Sequence, residues 1–122
     1  MKLLPNFEDE RGSITDILTN CNIDSVTVIS SAPGTVRANH FHKETTQWTY
    51  VIEGEIEYHF QKPGSESKEM QVLTPGSLVC SEPWVAHAMK STSQSQMLIL
   101  TKGPRSGEDY EKDTFRLDID LI

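Results

Sequence analysis

Cysteine is scarce: the 122 residues contain only Cys21 and Cys80. Two cysteines make no disulfide framework, so the chain reads as a reduced, cytoplasmic protein held together by its own core. No apolar run approaches the ~20 residues of a membrane span, and residues 1–11 contain no uninterrupted apolar stretch of signal-peptide length. Positive charge is also short. Eleven Lys and Arg stand against eighteen Asp and Glu, a net charge of −7. The cations are scattered and the balance repels nucleic acid and anionic membrane, so neither is an expected partner. The sequence lacks a P-loop, a Gly-x-Gly-x-x-Gly run and a zinc-ribbon cysteine pattern. With no internal repeat, low-complexity tract or dividing linker, one domain over 1–122 is expected.

What is present is β-structure. Gly12, Pro33-Gly34, Gly54, Pro63-Gly64, Pro75-Gly76, Pro83 and Gly103-Pro104 cut the chain into short pieces rich in β-branched and aromatic residues. The pattern predicts strands over 13–18, 25–30, 35–40, 46–52, 55–61, 69–73, 77–81, 85–89 and 97–102, with a last short one over 114–117. No convincing helix of ten or more residues is seen, and an all-β sandwich or barrel follows. Alternation is cleanest over 55–61: Ile56, Tyr58 and Phe60 share one face, Glu55, Glu57, His59 and Gln61 the other. Gly54 reads as a hairpin turn, residues 97–100 as a strand buried on both faces, and residues 104–113 as a polar loop.

Three of the four histidines are candidates for chemistry. In a strand, His40 and His42 point to the same face, and neutral imidazole is the commonest metal ligand. An isolated His-x-His arises easily by chance, so its surroundings decide. Gly34 precedes His40-Phe41-His42 by five residues, Gln47 follows after four more, and Gly54 after a further six. This resembles the first cupin motif, over 34–54, with Gln47 where that family usually has Glu. Gly76 precedes His87 by eleven positions, as in the second motif, over 76–91. Here Glu82 stands at the usual proline and Trp84 at the usual inner glycine.

The resemblance implies a small antiparallel double-stranded β-helix, a jelly-roll-like barrel that is usually dimeric. It also implies that His40, His42, Gln47 and His87 meet inside. Gln offers a neutral carbonyl oxygen in place of a carboxylate. Such a 3-His, 1-Gln site can hold one divalent metal ion, Zn, Fe, Ni or Mn, with less electrostatic pull. It can also go empty and use its histidines as acid and base.

A narrower resemblance bears on substrate. Asp9-Glu10-Arg11-Gly12, then Arg37-Ala38-Asn39-His40-Phe41-His42-Lys43 with Gln47 beyond, is similar to the cupin enzymes that remodel nucleotide-linked sugars. These are the dTDP-4-dehydrorhamnose 3,5-epimerases and the 3,4-ketoisomerases, with Ala38 replacing a ketoisomerase glycine. The stretches Lys102–Arg105 and Asp113–Leu117 resemble cupin domains of polysaccharide-biosynthesis proteins. The implied activity is isomerisation or epimerisation of a sugar. A carbonyl acidifies the protons on neighbouring carbons, and a neutral imidazole, pKa near ~6.5, can take one and return it elsewhere. His42 and His40 are the catalytic candidates, and a metal or protonated histidine would stabilise the enediolate. The alternatives are a metal-dependent dioxygenase and a non-enzymatic cupin that binds a small ligand.

Other residues carry weaker signals. Arg37 lies one residue out of phase with His40, which places it at the barrel mouth to pair with phosphate or carboxylate, or leaves it a solvated edge cation. Trp84 is a candidate cavity wall beside His87, so Arg37 and Trp84 are the substrate-binding candidates. Trp48, Tyr50 and Ile52 form a stripe suited to a homodimer interface. His59 reads as a surface histidine, Tyr110 as a loop tyrosine and Cys80 as a small buried residue. Glu8, Asp9, Glu10, Glu108, Asp109, Glu111 and Asp113 read as solvated charges.

Overall fold

The computed structural model describes residues 1–103, 112–118 and 120–122. Among them run eleven strands: β1 (Phe7–Asp9), β2 (Gly12–Ile14), β3 (Ser25–Ser31), β4 (Val36–Phe41), β5 (Thr46–Glu53), β6 (Ile56–Gln61), β7 (Glu69–Leu73), β8 (Leu78–Ser81), β9 (Ala86–Ser91), β10 (Ser95–Lys102) and β11 (Phe115–Arg116). β1 and β2 form a hairpin; its turn is closed by Asp9, which accepts from the Arg11 main-chain N–H and guanidinium. The rest form a four-stranded sheet, β3-β10-β5-β8, and a five-stranded sheet, β11-β4-β9-β6-β7, antiparallel throughout.

The two sheets pack face to face, because period-2 alternation gives each an apolar side. Val51, Val79, Met97 and Ile99 from one meet Ile56, Tyr58, Leu73 and Met89 from the other. Each large aliphatic buried this way contributes ~1.5–3 kcal/mol. From β3 to β6, and again from β7 to β10, consecutive strands alternate between the sheets, which gives the expected all-β antiparallel double-stranded β-helix.

Four expectations need correction, that for Cys80 among them. Gly54 does not turn a hairpin: β5 pairs with β10 and β8, β6 with β9 and β7, so it makes the corner from one sheet to the other. Its φ is +85°, and a Cβ would overlap the Gln94 carbonyl oxygen and lie 2.8 Å from Ser95 Cα, so only glycine fits. The strand expected over 13–18 ends at Ile14, because Asn6 takes over: its N–H donates to the Ile14 carbonyl and its Oδ1 accepts from Asp16 N–H. Residues 97–100 are fully buried on one face only. Met97 and Ile99 point into the core, while Leu98 and Leu100 lie half-buried on the outer face.

That outer face is apolar from edge to edge. Val28, Leu98, Tyr50 and Leu78 are aligned across β3, β10, β5 and β8, and Val26, Leu100, Trp48 and Cys80 form the next row. Cys80 is therefore exposed, not buried, since its position in β8 turns it outward opposite Trp48. Tyr110, Glu108, Asp109 and Glu111, with most of the expected polar loop, lie outside the described residues.

Candidate active site

The three imidazoles predicted to converge do so. His40, His42 and His87 are buried, and their ligand-type nitrogens all lie within 4.8 Å of one another. Ring centroids are 4.6 Å apart for His40 and His42 and 4.9 Å for His40 and His87. The register brings them together: β4 pairs with β9, with His40 opposite His87. A β-bulge between Ala38 and His40 makes this alignment compatible with Arg37, which sits opposite Met89. In an unbroken strand Arg37 and His40 would face opposite ways; the extra residue, Asn39, turns both inward.

The bulge is strained. Ala38 and Asn39 have φ of +71° and +61°, and Trp84, in the loop before β9, has +72°. Asn tolerates this region; for Ala and Trp it costs about 1–2 kcal/mol each. Ala38 and Trp84 stand where the resembled motifs carry glycine, and their backbone shows why glycine is usual there.

Two rings have their tautomer set by the main chain. His42 Nδ1 lies 2.8 Å from the Asp113 carbonyl oxygen, and His87 Nδ1 lies 3.1 Å from the Val85 carbonyl. A carbonyl can only accept, so both Nδ1 atoms carry hydrogen and Nε2 is the basic nitrogen of each. Burial, the cost of charging a ring beside His42 adding to it, pushes the His87 pKa down to about 4, so this imidazole is neutral near pH 7. Its Nε2 has no hydrogen-bond partner among the described residues.

Asp113, expected to be solvated, is buried. Its carboxylate accepts from the N–H groups of Lys43, Glu44 and Thr45 and from the Thr45 hydroxyl, at 2.6–3.2 Å. Burial alone would raise its pKa, but these donors together hold it below the usual carboxylate value.

Facing the histidines, the four-stranded sheet presents a polar inner row: Ser25, Thr101, Gln47 and Ser81 are aligned across β3, β10, β5 and β8. Thr49 lies one step further in. The hydroxyls of Ser25, Thr49 and Thr101 have no partner among the described residues, whereas Ser81 bonds Tyr58, whose hydroxyl burial pushes up to about 12. Buried hydroxyls left unsatisfied cost ~1–3 kcal/mol each, so this interior suits a polar occupant.

A cavity of about 200 Å³ is lined by His40, Gln47, Arg37, Arg116, Met89 and Ile99, among others. Arg37 lines it because the bulge brings Arg37 into phase with His40, where an unbroken strand would have kept the two out of phase. Nε donates to Ser31 Oγ at 2.8 Å and Nη2 to the Ser30 carbonyl at 3.1 Å. Arg116, paired with His40 across β11 and β4, adds a second guanidinium. A larger hollow of about 710 Å³, lined by Trp48, Tyr58, Phe60 and Cys80 among others, carries none of the three imidazoles, whereas His40 lines the smaller cavity.

Trp84 is not a cavity wall. It is half-exposed and stacks on Phe41 at 5.5 Å, with the Lys43 ammonium 5.1 Å above it. Its left-handed backbone turns it outward, while its N–H donates to the His42 carbonyl. Sequence reasoning missed Arg116, Asp113 and the inner hydroxyls. The Thr-rich alternation of β5 was the one local signal for the last; pairing across more than sixty residues hid the others.

The donor set fits a divalent metal. Two of the three imidazoles are braced at Nδ1 by main-chain carbonyls, as metal-bound histidines commonly are, and Gln47 shares the cavity with His40. Tetrahedral binding at ~2.0–2.1 Å would draw the nitrogens to roughly 3.4 Å from one another, a modest contraction.

The comparisons agree with this architecture. QdtA, a sugar 3,4-ketoisomerase from Thermoanaerobacterium thermosaccharolyticum solved with TDP, superposes with a TM-score of 0.78 at 20% identity, over 96% of this chain and 85% of that one. The dTDP-4-dehydrorhamnose 3,5-epimerase from Sulfolobus tokodaii gives 0.78 at 16% identity, over 95% and 74%. The capsular polysaccharide assembling protein CapF from Staphylococcus aureus gives 0.69 at 20%, over 96% of this chain but 34% of that one. At these identities the likeness establishes the shared cupin fold. No curated protein sequence matches the chain. The profile of the family described as Polysaccharide biosynthesis C-terminal domain matches residues 7–115. With nearly its whole length covered, and a cupin barrel around three buried histidines, the chain belongs to the polysaccharide biosynthesis C-terminal domain family.

Proposed function

We propose that this chain, one cupin domain over 1–122, isomerises or epimerises a nucleotide-linked sugar by proton transfer next to a carbonyl, in polysaccharide biosynthesis. The carrying observation is the convergence of three buried imidazoles, one of which, His40, lines a cavity shared with Gln47 and two guanidinium groups. Nε2 of His42 takes the proton from the carbon beside the carbonyl; a proton passes from His42 to His40, its ring 4.6 Å away, and His40 returns it to the neighbouring carbon while the hydroxyl proton moves between the two enediolate oxygens, so both rings end neutral. The imidazolium formed on His42 stabilises the enediolate across a water-poor interior. Arg37 and Arg116, which line the cavity with His40, take the anionic diphosphate. In support, QdtA is a sugar 3,4-ketoisomerase solved with TDP, and the Sulfolobus protein is a dTDP-4-dehydrorhamnose 3,5-epimerase.

A divalent metal bound by His40, His42, Gln47 and His87 would polarise the carbonyl as a Lewis acid. One lone pair cannot hold both a metal and a proton, so metal binding and base chemistry compete at His42. Protein purified without chelator is expected to carry near one divalent ion per chain, lost in a His40→Ala, His42→Ala double variant; metal analysis checks this. The exposed thiols Cys21 and Cys80 suit a reducing cytoplasm, and among the described residues no helix is long and apolar enough to cross a membrane. We also propose that a second copy of the chain covers the apolar outer face of the four-stranded sheet.

The functional test uses chelator-treated protein and dTDP-4-keto-6-deoxyglucose in D₂O. Deuterium is expected to enter the carbon beside the carbonyl, and His42→Asn to slow this by at least about a hundredfold. Binding without exchange, unaffected by His42→Asn, would instead establish a ligand-binding cupin. Oxygen uptake by the iron-loaded protein would establish a dioxygenase.

A further inference from the structure

One residue touches both the base proposed above and the turn that carries it. His42 directly follows β4, and residues 43–45 lead into β5. The three N–H groups of that turn point together at the Asp113 carboxylate, which also takes the Thr45 hydroxyl at 2.6 Å. The main-chain carbonyl of the same residue receives the His42 Nδ1 hydrogen at 2.8 Å. Thr45 is also packed closely against Gly103: a Cβ on Gly103 would lie 2.9 Å from Thr45 Oγ1 and 3.0 Å from its Cα. The turn therefore cannot shift away from Asp113 without losing several charge-assisted hydrogen bonds, nor can Asp113 shift without dragging its carbonyl off His42.

We infer that Asp113 is a positioning residue for His42: its carboxylate anchors the turn, and its carbonyl thereby holds the imidazole as the Nδ1–H tautomer, with Nε2 as the working nitrogen. Free histidine in water favours the Nε2–H form, so the structure selects against the intrinsic preference. Asp113 itself does not touch the substrate. Nothing in Asp113-Thr114-Phe115-Arg116 marks such a role, because carboxylate and turn are some seventy residues apart.

The kinetic consequence rests on the proposed reaction, but the tautomer does not. Ring ¹⁵N–¹H correlation spectra of the resting protein, chelator present and substrate absent, assign the hydrogen directly. The wild type is expected to show His42 as Nδ1–H. Asp113→Ala is expected to move it to Nε2–H or a mixture, and to lower the deuterium wash-in kcat roughly ten- to hundredfold with KM little changed. Asp113→Asn, which keeps one acceptor oxygen, is expected to restore the wild-type tautomer. A wild-type His42 found as Nε2–H overturns the inference, whether or not any variant folds. So does a folded Asp113→Ala that retains the Nδ1–H ring. A chain that shows the Nδ1–H ring yet exchanges no deuterium defeats the functional proposal and still supports this one.

Discussion

His87 shows how a single buried ring couples chemistry to stability. Its folded pKa is about 4 against an ordinary value of 6.5. As pH falls below about 6.5, the unfolded chain takes up a proton that the folded chain refuses, so stability drops until about pH 4 and then levels. The difference is worth about 3 kcal/mol. Urea unfolding of chelated protein at pH 7.5 and 4.5 should show that loss, and His87→Gln should lose correspondingly less. An identical pH dependence in both proteins would mean His87 is not the buried neutral group described. Asp113 acts in the same direction further down: its lowered pKa gives stability present above the usual carboxylate range and lost as pH falls through the folded value. Ala38 and Trp84 add strain beside the histidines, which packing elsewhere must offset.

At the scale of elements, corners and bulges matter more than the strands themselves. The Gly54 corner carries the chain between sheets with no room for a Cβ. Gly54→Ala is expected to cost about 2–4 kcal/mol, from overlap with the Gln94 carbonyl and from the left-handed backbone, and thermal unfolding measures it. A shift of under a degree or two would show that this corner relaxes freely. The β4 bulge is fastened by the chain's last residues: Asn39 Oδ1 accepts from Leu121 N–H, its carbonyl accepts from Leu117 N–H, and Leu121 is buried. The same bulge that aims His40 is thus clipped by a segment some eighty residues away.

For the whole molecule, the outer face of the four-stranded sheet is a broad exposed apolar surface. Val26, Val28 and Ile52 are 61%, 56% and 46% exposed, and they flank rows of half-buried Leu, Trp and Tyr. A standard interface takes about 800 Å² from each partner around an apolar centre, and this face is four strands wide. Sedimentation should find a dimer, and Val28→Lys with Leu100→Glu should yield a folded monomer. A wild-type monomer at micromolar concentration would remove the proposed interface.

Alternation and turn residues were enough to read nearly every strand and the inward face of 56, 58 and 60, because each is local, whereas the meeting of His40, His42 and His87 was expected only from the resemblance to the two cupin motifs. Burial of Asp113, exposure of Cys80, the sheet-switching corner at Gly54, the outward turn of Trp84 and the second guanidinium at Arg116 were decided by tertiary structure alone. Each depends on which distant strand lies alongside, and no local pattern encodes the pairing of residues thirty or more positions apart.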